Sequence, residues 1–405
     1  MHVHVICRYR KAISDAGLSS VVCVGDETFP VNDVSFVDDM AQPVVDVAST
    51  ICQKIGKIAN VAYAVFRMFG MLLNFPPGKS ETTVSFRGTD SKKAAKILFL
   101  ANYTIPIQAG EQTVLRVVRT YQHVGTLSPP DLNMAEEVAR RNGMMRAESR
   151  NLCSKFMHIR SIPKVKKIHV MQAYIMSKGT FQCGTWPALS DAVYKKFHAT
   201  ILSVYRNATG TYFKFKKKGD GSSDDIEIDG DVEVNCMFND DNVIYENNFV
   251  CPKTILRFSR LALLFRILRK SPPGLIDLVK LQARTKMKKG WIASVHDDCK
   301  WLALSAENAD RHEYSLVQWI ELFSSDPTKW FRSVRKFCKS PYANIVSRWA
   351  DSPQLKVLSL IRLSVNCVVR LRCRIKRTLC ICLGVIMLRV NIACMWMAMC
   401  AKFVL

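Results

Sequence analysis

The sequence lacks every pattern by which cysteines are usually organised. It holds 15 of them, an odd number, and no Cys-x-x-Cys pair. That spacing speaks against a disulfide framework and against a paired-cysteine metal site, so the thiols read as free groups of a reducing compartment. Histidine is scarce, and none follows His312, so the cysteine-rich end carries no Cys/His zinc site. A signal-peptide plan is missing too, because Arg8 and Arg10 interrupt the short apolar run at the start. The sequons at Asn102 and Asn207 then carry no glycan. No internal repeat is visible. Acid is in short supply: 34 Asp+Glu stand against 58 Lys+Arg, for a net charge of +24. Such an excess points to a polyanionic partner, nucleic acid before an anionic membrane surface.

What is present suffices for a sizeable core. Hydrophobic residues make up 49% of the chain, and its length of 405 residues suggests two or three domains. The opening stretch reads as strands and turns. Val21–Val24 is β-branched and ends at Gly25-Asp26, and Val34–Val37 ends at Asp38-Asp39. Val44, Val47, Ala48, Ile51, Ile55, Ile58, Ala62, Val65, Phe66 and Phe69 then recur at three- and four-residue spacing, which predicts a long amphipathic helix stopped by Gly70. Thr82–Phe86 is a further strand. Leu115–Val118 and Thr120–Val124 read as a final strand pair. From about Asn133 the pattern turns helical, through Met134–Phe156, Val165–Lys178 and Ala188–Tyr205. The stretch Lys214–Asn242 flips from basic to acidic with Gly and Ser, as an exposed linker does. Its Asp-Gly-Asp pieces match no calcium-loop spacing. A second helical region, Ile255–Phe337, carries four tryptophans.

Two adjacent aspartates closing an apolar strand are the oddest local feature. Alone, such a pair reads first as a helix cap and first-turn acid. A divalent metal is the other way to hold two like charges together, since Mg²⁺ takes carboxylate and phosphate oxygens. Further on stand Gly70-Met71-Leu72-Leu73-Asn74 and Gly78-Lys79-Ser80-Glu81-Thr82, then Tyr121-Gln122-His123-Val124-Gly125. Gly78-Lys79-Ser80 is not a P-loop ending, because Leu73 stands where that motif needs glycine.

These segments in this order, with Phe36-Val37-Asp38-Asp39 at their head, resemble the palm of reverse transcriptases (RNA-directed DNA polymerases), in particular those of non-LTR, LINE-type retrotransposons. The likeness departs by one extra residue before Lys79, by Ser80 for threonine and by Val124 for leucine. It implies that Asp38 and Asp39 are catalytic metal ligands for Mg²⁺, or Mn²⁺ in its place, held loosely by this chain. It implies that Lys79 lies near the incoming triphosphate, where it neutralises charge or protonates the leaving pyrophosphate. Tyr121, His123 and Gly125 fall on the primer-binding hairpin. His123 has no acid or cysteine at ligand spacing, so it is not a metal ligand. The helices that follow are similar to a thumb, with Arg140, Arg141, Lys166 and Lys167 as phosphate contacts, and Arg146, Lys164, Lys195 and Lys196 as further candidates.

The expected fold is α+β: a partial antiparallel palm sheet with a packed helix over residues 1–130, then a thumb-like helical region over 131–213. A linker at 214–242, a C-terminal helical region at 243–351 and a basic, apolar, cysteine-rich tail at 352–405 complete the division. The expected partners are RNA and DNA as a template–primer duplex, with no small-molecule cofactor, inside the cell in nucleus or cytoplasm. The family also needs an upstream apolar strand with another aspartate, a finger region and a Gln-Gly-x-Pro-like segment. Asp15, Asp26 and Asp33 do not lie in such a strand. The chain by itself is therefore expected not to polymerise, and it reads as a truncated element copy or a gene fragment. Two other readings stay open: a non-catalytic basic nucleic-acid-binding helical protein, and a tail-anchored membrane protein. No acid follows Asp351, and apolar runs at Leu379–Leu388 and Ile392–Ala401 flank Arg389 and Asn391. Those two residues disfavour a membrane anchor against translation outside the original frame.

Overall fold

Helix α1 (His2–Asp15) opens the chain in the computed structural model, where strands and turns were expected. Val5, Ile6, Tyr9 and Ile13 are buried at helical spacing, and they pack on the later helix α2. The valines and isoleucines of this stretch favour strand locally, and their tertiary partner overrides that preference. The structure describes residues 2–24, 27–31, 33–36, 39–110, 112–123, 125–211, 240–285, 289–340 and 343. All of these lie in the compact unit Met1–Ser347.

Two hairpins follow α1. Strand β1 (Ser20–Val24) pairs with β2 (Glu27–Val31), and β3 (Val34–Phe36) with β4 (Asp39–Ala41), both antiparallel. Helix α2 (Ile51–Met68) begins later than its apolar stripe, because residues 42–47 run without helical structure and Asp46 turns its carboxylate onto the Val47 amide at 2.8 Å. It ends as the sequence predicts. Gly70 takes φ +74°, its amide bonds Arg67 O and the Met71 amide bonds Phe66 O, both at 3.0 Å. That is the double-bonded left-handed helix stop.

Helix α3 (Ser91–Leu100) leads to β5 (Thr104–Ala109), which pairs antiparallel with β6 (Gln112–Arg116) and lies on α2. Gly56 makes that approach possible, since a Cβ there would stand 2.9 Å from the Pro106 carbonyl oxygen. The second pair is β7 (Tyr121–His123) with β8 (Thr126–Ser128). The expected pairing of 115–118 with 120–124 is thus replaced by two separate hairpins. They close at Gly110 and Gly125, whose φ angles are +65° and +75°. Thr82–Phe86 contributes one parallel bridge, Thr82 to Val117, and no extended strand.

The rest of the described chain is helical. Helix α4 (Ala135–Leu152) runs into a π-helical turn, Cys153–Met157. Then come α5 (Lys164–Val170), the π-helical turn Met171–Met176, and the short α6 (Ser177–Gly179). Helix α7 (Asp191–Thr209) stops at Gly210. Val138, Met145, Met171, Ile175, Trp186 and Phe197 form the core of this part. After residues 212–239, which lie outside the described set, α8 (Asp240–Glu246) begins within the stretch read as a linker. Helices α9 (Pro252–Lys270), α10 (Pro273–Arg284), α11 (Trp291–Leu302), α12 (Leu316–Ser325) and α13 (Pro327–Cys338) follow, with Trp301, Trp319 and Trp330 buried among them. The class is α+β, with four two-stranded sheets among the described residues. No described helix is long and apolar enough to cross a membrane. The tail beyond residue 343, with both readings of it, lies outside the described residues.

One buried ionic cluster ties α9 to α11. Arg260 donates twice to Asp298, Nε to Oδ2 at 2.5 Å and Nη2 to Oδ1 at 2.9 Å, and Arg257 Nε stands 3.6 Å from Oδ1. All three side chains are buried. Removing the shared carboxylate leaves two guanidiniums in an apolar interior, the costly way to break a buried pair. Asp298→Ala is expected to lower the unfolding free energy by about 3–5 kcal/mol, read by denaturant unfolding at neutral pH. A loss under 1 kcal/mol, on the scale of a surface pair, speaks against a stabilising role for the cluster.

Candidate nucleic-acid interface

Each segment singled out in the sequence has its own local cause. The β3–β4 hairpin pairs Phe36 with Asp39, the residues on either side of the turn. Val37 and Asp38 lie outside the described residues, so Asp39 is placed by its backbone alone, at the start of β4. The turn after α2 is held more completely. Lys79 N bonds Pro76 O at 3.1 Å, Ser80 N bonds Asn74 O at 2.9 Å, and the Glu81 carboxylate accepts the Gly78 amide at 2.8 Å. Phe75 is buried beneath it. This fixes the backbone and leaves the Lys79 side chain exposed.

The β7–β8 hairpin meets this turn directly. The Tyr121 hydroxyl donates to Lys79 O at 3.2 Å, across 42 residues of sequence. Both flank a cavity of about 1140 Å³. Its floor is the apolar face of α2, at Ile51, Ile55 and Ile58. Met40–Asp46, the chain directly after the aspartate pair, forms another wall. Tyr9 reaches in from α1 and donates to Gln42 Oε1 at 3.1 Å. Burial, and then the Asp33 charge, push the Tyr9 pKa up, so that hydroxyl stays a donor across the working range.

The hairpin is also clamped from α4, in a way the sequence reading did not foresee. Glu137 is buried. Its carboxylate accepts Arg140 Nε at 2.9 Å, Arg141 Nε at 2.6 Å and the Leu127 amide at 3.1 Å. Both arginines also donate to Gly125 O, at 2.7 and 2.6 Å. Arg141 bonds Lys178 O at 3.3 Å as well, and its guanidinium lies 4.9 Å from the Phe181 ring centroid. This corrects the expectation for Arg141. It is buried, with each of its three guanidinium nitrogens bonded inside the protein, and offers almost no surface to a phosphate. Arg140 is half-buried and shares the same duty. The available signal was Glu137 itself, three and four residues ahead of the pair, where helix geometry brings such side chains together.

The remaining candidates are less closely gathered. Gly125 sits in the turn of the clamped hairpin, while the His123 side chain lies outside the described set. Lys166 is exposed and Lys167 half-buried on α5, and neither lines the cavity. Among the described residues no group of three or more His, Cys, Asp or Glu could hold a metal ion. Asp38 is outside that set. The carboxylates that line the cavity, Asp46 and Glu81, each already accept a backbone amide at 2.8 Å.

Glu137→Ala is expected to free the hairpin as well as to destabilise the fold. The Leu127 amide should lose its protection from hydrogen exchange, while amides in the α9–α13 helices keep theirs; equal loss in both regions means that the carboxylate serves general stability alone. No family model, no curated protein and no solved structure matches this chain.

Proposed function

We propose that this chain is the C-terminal palm and thumb portion of an RNA-directed DNA polymerase of the non-LTR retrotransposon type, and that it binds a template–primer duplex along the cleft. The observation that supports this reading is convergence. The chain leaving Asp38-Asp39, the Lys79 turn and the Tyr121 hairpin are far apart in sequence and border one cavity. In this reading Lys79 neutralises phosphate charge, and the clamped hairpin with Tyr121, His123 and Gly125 sets the height of the primer strand. The net charge of +24 supplies the long-range attraction.

Asp38 and Asp39 are the residues that would hold Mg²⁺ or Mn²⁺, which when bound would polarise phosphate and activate a hydroxyl. Among the described residues no group of three or more His, Cys, Asp or Glu side chains comes together to complete a two-metal site, and Asp46 and Glu81, the described carboxylates along the cleft, each place one oxygen on a backbone amide. No polymerisation step is therefore assigned to these 405 residues by themselves.

The test is anisotropy of a fluorescent RNA–DNA hybrid titrated with the full chain at several salt concentrations. Binding should weaken steeply with salt, and Lys79→Ala should reduce the slope of log affinity against log salt by about 0.9, the share of one phosphate contact. Absence of binding at low salt sinks the reading. Primer extension with Mg²⁺ or Mn²⁺ should be absent, with Asp38→Ala changing nothing. Extension that this substitution abolishes overturns the inactivity.

A further inference from the structure

Far along the chain from the cleft segments, α9 and α13 pack together and carry charge of one sign only. Neither helix contains an aspartate or a glutamate. Asp326, at the entrance to α13, is used as its cap and accepts the Lys329 amide at 2.9 Å. The contact between the two helices is aromatic. Phe265 and Phe331 stack with centroids 4.3 Å apart and planes at 7°, and Phe258 joins Phe331 at 5.8 Å. All three rings are half-buried. Over them stand two guanidiniums, Arg269 at 5.8 Å from the Phe265 centroid and Arg335 at 5.2 Å from that of Phe331. Arg266 and Arg332 are exposed beside them, as are Arg269 and Arg335 themselves.

This arrangement restrains arginine heads without neutralising them. A ring beneath a guanidinium attracts its charge and limits its rotation, while the N–H edges stay available. Those edges match the oxygens of a phosphate two at a time. We propose that the α9–α13 face is a second polyanion site, which grips the phosphate backbone of a nucleic acid through Arg266, Arg269, Arg332 and Arg335. The alternative of a lipid surface is disfavoured by what α13 buries. Of its apolar residues, Trp330, Val334 and Cys338 face the interior and Phe331 is stacked on Phe258 and Phe265, so the exposed side keeps only part of these rings to insert among acyl chains. Two ring-backed heads, Arg269 and Arg335, with two exposed ones on the same helices suit a backbone with regularly spaced charges. The site does not depend on the cleft reading and stands if the cleft binds nothing.

The experiment uses the full chain and the variant R266Q/R269Q/R332Q/R335Q, with Lys79→Ala in parallel. The probe is a short fluorescent RNA–DNA hybrid, and vesicles containing phosphatidylserine form the second arm. The slope of log affinity against log salt should fall by about 3 to 4 in the fourfold variant, at 0.9 per phosphate contact. It should fall in the same way whether or not Lys79 matters. An unchanged slope overturns the proposal, as does loss of vesicle binding with hybrid binding intact. Should the variant not fold, phenylglyoxal modification of the unaltered chain gives the same decision. Bound hybrid must shield these four arginines from the reagent, and equal modification with and without hybrid overturns the site.

Discussion

Helix α2 is the constraint on which the first part of the structure depends. Its apolar stripe serves two cores at once. Ile58, Ala62, Val65 and Phe66 pack with α1, while Ile51 and Ile55 pack with β5, β6 and Phe75. Gly56 lies between them and lets the β5 backbone come into contact. The cavity floor is this same stripe, so the cleft is shaped by core packing and not by loops alone. A surface formed by buried-side residues cannot shift far, because interiors are close-packed.

Much of this was readable from residue order. Of ten apolar positions at helical spacing, the six from Ile51 to Phe66 fall within α2, Val44, Val47 and Ala48 precede it, and Gly70 marked its end. Gly78 and Gly125 stood where turns are needed, and both take positive φ. The pairing of strands was less accessible. Leu115–Val118 and Thr120–Val124 look alike locally, and each instead belongs to its own hairpin, closed by a turn that holds Gly110 or Gly125. Helix α1 was hidden for a different reason. Its residues favour strand in isolation, and the partner that makes them helical lies about fifty residues on. The site divided in the same way. Lys79 and Tyr121 were singled out by the resemblance, whereas Glu137 was passed over, because a glutamate in a helix's first turn usually reads as a dipole partner even where its i,i+3 and i,i+4 arginines signal a pair.

The basic residues therefore separate into two populations that sequence alone does not distinguish. Arg141, Arg257 and Arg260 are structural cations, buried and tied to Glu137 or Asp298. Arg266, Arg269, Arg332 and Arg335 keep their heads at the surface. An arginine followed along a helix tells little until its acid is located.

The Gly125 carbonyl carries a consequence for whatever enters the cleft. It accepts two guanidinium donors, so both of its lone pairs are occupied. The tip of the hairpin is thereby chemically one-sided, with its acceptor turned away toward α4. A ligand that reaches the tip has to be met by other groups, and no donor on the ligand can compete for that oxygen cheaply. The hairpin and α4 also become a single mechanical part. Any force that tilts the helix is delivered, through two short bonds, to the strand beside Lys79.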